Sequence, residues 1–271
     1  MRYETIHNLK IPKIGFGTWS IGGRDSADPA QDEPSLKALY SALDLGYTHF
    51  DTAEGYAVGH SEELLGRAIR DKGVPRESVF ITSKVSPDHL KFEDVLRCCE
   101  NSLLRLGMDY LDLYLIHWPK VGMELEETFR ALNQLVREGK VRHLGVSNFN
   151  LKLLKQSVAL SETPLLTDQA SYSVPDRTYV KNGVLEYCQA NDILLTAYSP
   201  VKRRNIKSNK ALKTIAQSRG ATTQQIALAW LTTQLRVITI PMSSDPQHQA
   251  DNIHAADIIL CATEMEQLGT I

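Results

Sequence analysis

The sequence predicts an α/β protein, a single-domain (β/α)8 TIM barrel with a short N-terminal β-hairpin, and three observations carry that prediction. Short apolar runs alternate with longer amphipathic segments about eight times, which is how successive βα units read. The 271 residues match the size of one such barrel, and no break in composition marks a second domain, so one domain is expected over 1–271. Polar and ionisable residues recur at the C-terminal ends of runs that are otherwise apolar, where a strand buried on both faces should carry none.

Taken in order, Tyr3 to Pro12 reads as a hairpin turning at Asn8, followed by a first barrel strand at Ile14 to Thr18. Further strand runs are YTHFD (47–51), VFITSK (79–84), LDLYLIH (111–117), VRHLGVS (141–147), LLTDQA (165–170), ILLTAYS (193–199) and RVITIPM (236–242). Helical patterns fall between them at 34–45, 61–69, 92–106, 125–137, 151–160, 184–190, 222–235 and 247–253. Strand followed by helix throughout favours an all-parallel sheet.

Composition narrows the function. With 42% hydrophobic and 23% charged residues and a formal net charge of -2, the chain can bury a large core but lacks the basic field that nucleic acids or anionic membranes require. Small molecules are the expected partners, and a monomer or weak oligomer the expected state. Cys98, Cys99, Cys188 and Cys261 show no C-x-x-C pair or metal-ligand spacing, so no metal is expected and a reducing compartment is the simplest reading. The N-terminus carries no signal-like apolar run and no stretch approaches a membrane span, so a cytoplasmic protein is expected.

The chemistry concentrates in three consecutive strand ends. Asp51 ends the second strand and Tyr56 follows on the loop behind it, Lys84 ends the third strand and His117 the fourth. Singly, each has an ordinary explanation: a cap, a satisfied aromatic, a snorkelling lysine, a core histidine. Together they put an acid, a phenol, an ammonium and an imidazole on the rim where barrel active sites are built. A buried Lys84 needs Asp51 as its charge partner, and the ammonium is expected to lower the Tyr56 pKa from an ordinary value of about 10, making the phenol a usable general acid.

These residues resemble the catalytic tetrad of the aldo-keto reductase superfamily. The resemblance runs through GFGTW (15–19), DTAEGY (51–56), Ser83–Lys84, LGMDYLDLYLIHWP (106–119), GKVRHLGVSNF (139–149), AYSP (197–200) and IPMSSDPQHQADN (240–252). It implies hydride transfer between the C4 of a nicotinamide and a carbonyl carbon, with Tyr56 as proton donor supported by Lys84, Asp51 and His117, and no metal. Aldehydes and activated ketones are the implied substrates, and NADPH or NADH the implied cofactor. Ser147, Asn148 and Gln169 match residues that hydrogen-bond the carboxamide, and Tyr198 matches the aromatic stacked on the ring. Ser199, Pro200 and Val201 match the pyrophosphate wrap, and Gly17, Thr18, Trp19, Ile240, Ser243 and Asn252 complete the implied contacts. No G-x-G-x-x-G follows a strand, so the cofactor is expected to lie across the barrel mouth rather than in a Rossmann site.

Three departures qualify the resemblance. Met242 and His248 stand where the family usually has a lysine and an arginine on the 2′-phosphate, which puts NADPH preference in doubt. Lys202, Arg203, Arg204 and Lys207 replace the usual glycine-containing continuation; this basic cluster either binds phosphate, with Arg203 as a contact, or is a solvated loop. Asp168 replaces a common asparagine and brings an extra carboxylate near the amide-binding residues. Trp19 and Trp118 are expected to wall the substrate slot, which the short tail after the last helix leaves open. Two rival functions remain at this level: a cofactor-sensing regulatory subunit, and a Schiff-base aldolase using Lys84, which the adjacent Asp51 argues against.

Overall fold

A computed structural model of the chain describes residues 2–201, 206 and 209–270. Eight parallel strands follow one another in sequence order: β3 (Phe16–Gly17), β4 (His49–Asp51), β5 (Phe80–Val85), β6 (Leu111–Ile116), β7 (Val141–Ser147), β8 (Thr167–Ser171), β9 (Leu194–Tyr198) and β10 (Val237–Thr239). A parallel bridge between Ile14 and Thr239, with Gly15 donating to the Thr239 carbonyl at 2.8 Å, brings the first and last strands together and closes the barrel. Strands are shorter than their apolar runs at both ends of this seam. Ile240 and Met242 lie past β10, in the loop at the mouth.

The hairpin β1 (Tyr3–Ile6) and β2 (Leu9–Pro12) turns at His7 and Asn8, both at positive φ, as a tight two-residue turn requires. Its Ile6 and Ile11 pack with Leu113, Leu115, Leu166, Leu194 and Ile238, so the hairpin plugs the barrel floor with apolar side chains.

The main core lies between the sheet and the outer helices. Helix α1 spans Asp32–Asp44, α2 His60–Asp71, α3 Phe92–Leu106, α4 Leu125–Arg137 and α5 Leu151–Leu160. In α4, Thr128, Ala131, Leu132 and Leu135 recur at helical spacing and are buried with Phe129, while the charged residues face out. Gly107 ends α3 in the left-handed conformation, and the Asn150 side chain caps α5. Short helices α6 (Thr178–Lys181) and α7 (Val184–Ala190) precede α8 (Lys210–Arg219), α9 (Thr223–Thr233), α10 (Pro246–His254) and α11 (Ala262–Gly269). The helical pattern alone anticipates none of α6, α8 and α11. In α8 only Leu212, Ile215 and Ala216 are buried, so its apolar stripe is thin, although Asn209 caps it and Gly220 stops it.

Candidate active site

The loops leaving β4, β5 and β6 bring the predicted tetrad together. The Lys84 ammonium, fully buried, donates to Asp51 Oδ1 at 2.6 Å, to the Thr52 carbonyl at 2.7 Å and to the Tyr56 hydroxyl at 3.3 Å. The Tyr56 ring meets the His117 ring edge-on, with centroids 5.5 Å apart. Thr18 fixes Asp51 from the neighbouring strand, its backbone N–H and hydroxyl both donating to the Asp51 carbonyl. Ser61, at the start of α2, ties Thr18 to Thr52. Behind Lys84, the buried Glu62 carboxylate accepts from Ser83 Oγ at 2.5 Å and Arg105 Nε at 2.6 Å, pinning β5 to α2 and α3. Glu62 was not singled out from the sequence; its place beside Ser61, Leu64 and Leu65 on the inward face of α2 was the available signal.

The electrostatics correct one expectation. Burial raises the Tyr56 pKa above the ordinary phenol value by more than the Lys84 charge lowers it, so the phenol is held protonated rather than brought towards neutrality. Burial alone would lower Lys84, but the Asp51 carboxylate and the Tyr56 oxygen leave it above the ordinary lysine value. A permanently charged ammonium is no Schiff-base nucleophile at neutral pH, which removes the aldolase reading's chemical basis. Burial, reinforced by Lys84, pushes His117 down to about 3, so its imidazole is neutral and free to donate one hydrogen bond.

The implied carboxamide residues form one chain of hydrogen bonds at the ends of β7, β8 and β9. Ser147 Oγ donates to the Gln169 carbonyl, Asn148 Nδ2 to Ser147 Oγ and the His117 carbonyl, and the Tyr198 hydroxyl to Asn148 Oδ1 at 2.8 Å. Gln169 Nε2 instead donates to Asp51 Oδ2 at 2.7 Å, completing the carboxylate that holds Lys84. Asp168 differs most from expectation. Residues alternate across β8, so Gln169 faces the barrel axis while Asp168 points into the helix layer, fully buried. Its Oδ1 meets the Phe149 N–H at 3.5 Å, Oδ2 has no hydrogen-bond partner among the described residues, and burial raises its pKa well above the carboxylate range. It supports the Ser147–Phe149 turn from behind.

The donor set at the mouth fits a nicotinamide: neutral amides and a hydroxyl beside an aromatic ring. Gly17 packs its backbone against the loop after β10, where an added Cβ would sit 2.8 Å from the Ile240 carbonyl. The 240–252 segment offers no lysine or arginine to a 2′-phosphate. Met242 and Ser243 are half-buried, His248 is exposed, and Asn252 is 9% exposed. Asp245, unremarked in the sequence, caps α10 with its carboxylate on the Gln247 and His248 N–H groups, placing a negative charge on donors that an anion would otherwise use. Trp19 and Trp118 flank the mouth at 54% and 47% exposure. Ser199 is exposed at φ 50° and Pro200 buried, with Val201 half-buried beyond. The basic cluster Lys202, Arg203, Arg204 and Lys207 lies outside the described residues. No helix among the described residues is long and apolar enough to cross a membrane.

A barrel with a buried lysine–aspartate pair under a protonated phenol and a neutral imidazole defines a reductase of the nicotinamide-dependent barrel class. The profile of the aldo/keto reductase family matches residues 13–271, and the chain belongs to that family. It is 32% identical over 267 residues to methylglyoxal reductase YeaE of Escherichia coli, covering 96% of this chain and 91% of that protein. Identity to the glyoxal reductase of Bacillus subtilis is 34%, covering 98% and 91%. Among solved structures, the thermostable aldo-keto reductase Tm1743 in complex with the inhibitor epalrestat superposes with a TM-score of 0.96 at 44% identity, covering 100% and 99%. An aldo/keto reductase of Klebsiella pneumoniae bound to NADP and acetate gives 0.89 at 35% identity, covering 100% and 95%. The chain is therefore an NAD(P)H-dependent oxidoreductase that acts on carbonyl groups.

Proposed function

We propose that the barrel works as one domain over 1–271 and reduces small activated aldehydes, 2-oxoaldehydes of the methylglyoxal type first among them, with Tyr56 as the proton donor. The observation that carries the reading is the Lys84 ammonium shared between Asp51 and Tyr56 at one rim beside a neutral His117. The names of the Escherichia coli and Bacillus subtilis relatives support the substrate class. The exposed flanks at Trp19 and Trp118 suit small substrates entering an open mouth.

Reduced nicotinamide, when bound, supplies the hydride. His117, neutral, donates to the carbonyl oxygen and orients it. Tyr56 gives that oxygen its proton as negative charge develops there, and Lys84 stabilises the phenolate left behind. Asp51, held by Gln169 and Thr18, keeps Lys84 charged and aimed. Ser147, Asn148 and Gln169 would hold the carboxamide, and Tyr198 would offer its ring to the nicotinamide. Gly17, Thr18, Trp19, Ser199, Pro200, Val201, Ile240, Ser243 and Asn252 would line the rest of the cofactor. With Met242 and His248 in place of two cations and Asp245 adding an anion, NADH is used at least as well as NADPH.

The test is loss of nicotinamide absorbance with methylglyoxal, glyoxal and a plain aliphatic aldehyde, each with NADH and NADPH at equal concentration. Turnover fastest with the 2-oxoaldehydes, and an NADH rate no lower than the NADPH rate, is expected. Cofactor binding without turnover on any aldehyde would instead leave the cofactor-sensing reading. A strong NADPH preference would remove the roles given to Met242, His248 and Asp245.

A further inference from the structure

A second cluster of chemically active side chains lies beside the tetrad and takes no part in it. Glu54 stands on the loop after β4, His89 on the loop after β5 and Cys98 on the buried face of α3, and one ligand atom from each lies within 4.8 Å of the others. Their spacing along the chain carries no metal signature; only the fold assembles them. We propose that Glu54, His89 and Cys98 form a binding site for a zinc-like divalent cation on the outer side of the loop that carries Tyr56.

The ligand set selects the metal. Thiolate, imidazole and carboxylate together suit zinc, which takes them at about 2.0–2.3 Å in a tetrahedron and leaves a fourth position for water. The three atoms, within 4.8 Å of one another, need only small side-chain shifts, the Glu54–His89 pair opening from 2.9 Å, to reach the separations of roughly 3.3–3.8 Å that a tetrahedron with such bonds requires. Protons now occupy the place. Glu54 Oε1 accepts the Ser86 N–H at 2.6 Å and pairs with His89 Nδ1 at 2.9 Å, and the Cys98 thiol also hydrogen-bonds Glu54. A cation displaces them in balance. The imidazole proton moves from Nδ1 to Nε2, the thiol proton leaves to solvent, and the carboxylate and thiolate neutralise the two positive charges.

Access and support are both present. Cys98 is 4% exposed, so the thiol is dry and shielded, while the His89 side chain is 43% exposed and offers the way in. The Glu54 backbone N–H donates to the Lys84 carbonyl at 3.3 Å, and Tyr56 follows two residues later, so an occupant braces the turn that positions the proton donor.

The experiment titrates the purified chain with Co2+ and with Cd2+ and follows the thiolate-to-metal charge-transfer absorption, with Zn2+ competition and thermal unfolding as a second measure. One equivalent should give the band in the native protein and in Cys261→Ser, which removes the only exposed cysteine among the described residues. Cys98→Ser should abolish the band, and His89→Ala, a change at a half-exposed position, should weaken binding at least tenfold. Zn2+ should raise the unfolding temperature of the native chain and leave that of His89→Ala unmoved. No band in the native protein, or a band lost in Cys261→Ser, or binding equal in native and His89→Ala, overturns the proposal. Should Cys98→Ser not fold, the His89→Ala comparison alone decides it.

Discussion

Two buried lysine–carboxylate pairs sit at opposite ends of this barrel, and they do different things. At the floor, Lys13 pairs with Glu4 and donates to the Gln234 and Val237 carbonyls at 2.8 and 3.0 Å. At the mouth, Lys84 pairs with Asp51 at 2.6 Å. Burial is nearly equal, with side-chain exposures of 5% and 8% at the floor and 0% and 2% at the mouth. The surroundings are opposite in sign. Around Lys13, burial and the charges of Arg2 and Arg236 outweigh Glu4 and lower its pKa; around Lys84, Asp51 and the Tyr56 oxygen outweigh burial and raise it. The floor lysine is a stitch between hairpin and β10, every proton on a fixed acceptor. The mouth lysine spends one of its hydrogen bonds, the long one at 3.3 Å, on the phenol proposed as the proton donor.

The largest effect should come from breaking the mouth pair. Lys84→Met is expected to lower kcat by about a thousandfold while cofactor binding persists, because the phenolate loses its counter-charge. Steady-state rates with methylglyoxal and a fluorescence titration with NADH measure the two quantities separately. A kcat within tenfold of native would remove Lys84 from the chemistry. Lys13→Met should do the reverse: a stability loss of about 3–5 kcal/mol in urea unfolding, from stranding Glu4 without its buried partner, with kcat unchanged. Glu4 keeps Arg236 at 2.7 Å, which favours the lower end of that range.

How much of this was readable in sequence follows the same division. The four tetrad residues were legible as a set: each alone has an ordinary explanation, but an acid, a phenol, an ammonium and an imidazole gathered at one rim do not. Their partners were not. That Gln169 would bond Asp51 depends on β8 and β4 facing each other across the barrel, a distance no local pattern encodes. The orientation of Asp168 is legible from the alternation of side chains along a strand: if Gln169 faces the axis, its neighbour cannot. Helix α8 escaped because three buried residues in ten make too faint a stripe, and Asp245 because a cap before proline is ordinary until one asks what anion it displaces.

Acid should weaken both ends of the barrel. Burial lowers His49, inside β4, to about 4, and burial with Lys84 lowers His117 to about 3. A histidine kept neutral by folding contributes stability that is complete above its unfolded pKa of about 6.5 and is lost as pH falls towards the folded value. Each should contribute a loss of about 2 kcal/mol between pH 7 and 5, measured by urea unfolding. His60 runs the other way, because Glu63 and Asp32 raise it despite burial, and stabilises on the acid side. Replacing His117 by Gln should remove its share of the slope; an unchanged slope would mean that His117 is already solvated.

The smallest effect tests where the backbone is strained. The floor turn uses positive φ at His7 and Asn8, and Asn tolerates that conformation well. At the mouth, directly after Tyr56, Ala57 and Val58 take φ values of 49° and 56°, the second on a β-branched residue that resists them. Val58 is 72% exposed, so its side chain contributes little packing in return. Val58→Gly should therefore raise stability by about 1 kcal/mol, the relief of left-handed strain exceeding the glycine's extra unfolded-state entropy. If kcat falls as stability rises, the strained turn is holding Tyr56 in place against Lys84. If kcat is unchanged, the ion pair at the mouth suffices to position the phenol, and the strain is a consequence of the loop's length.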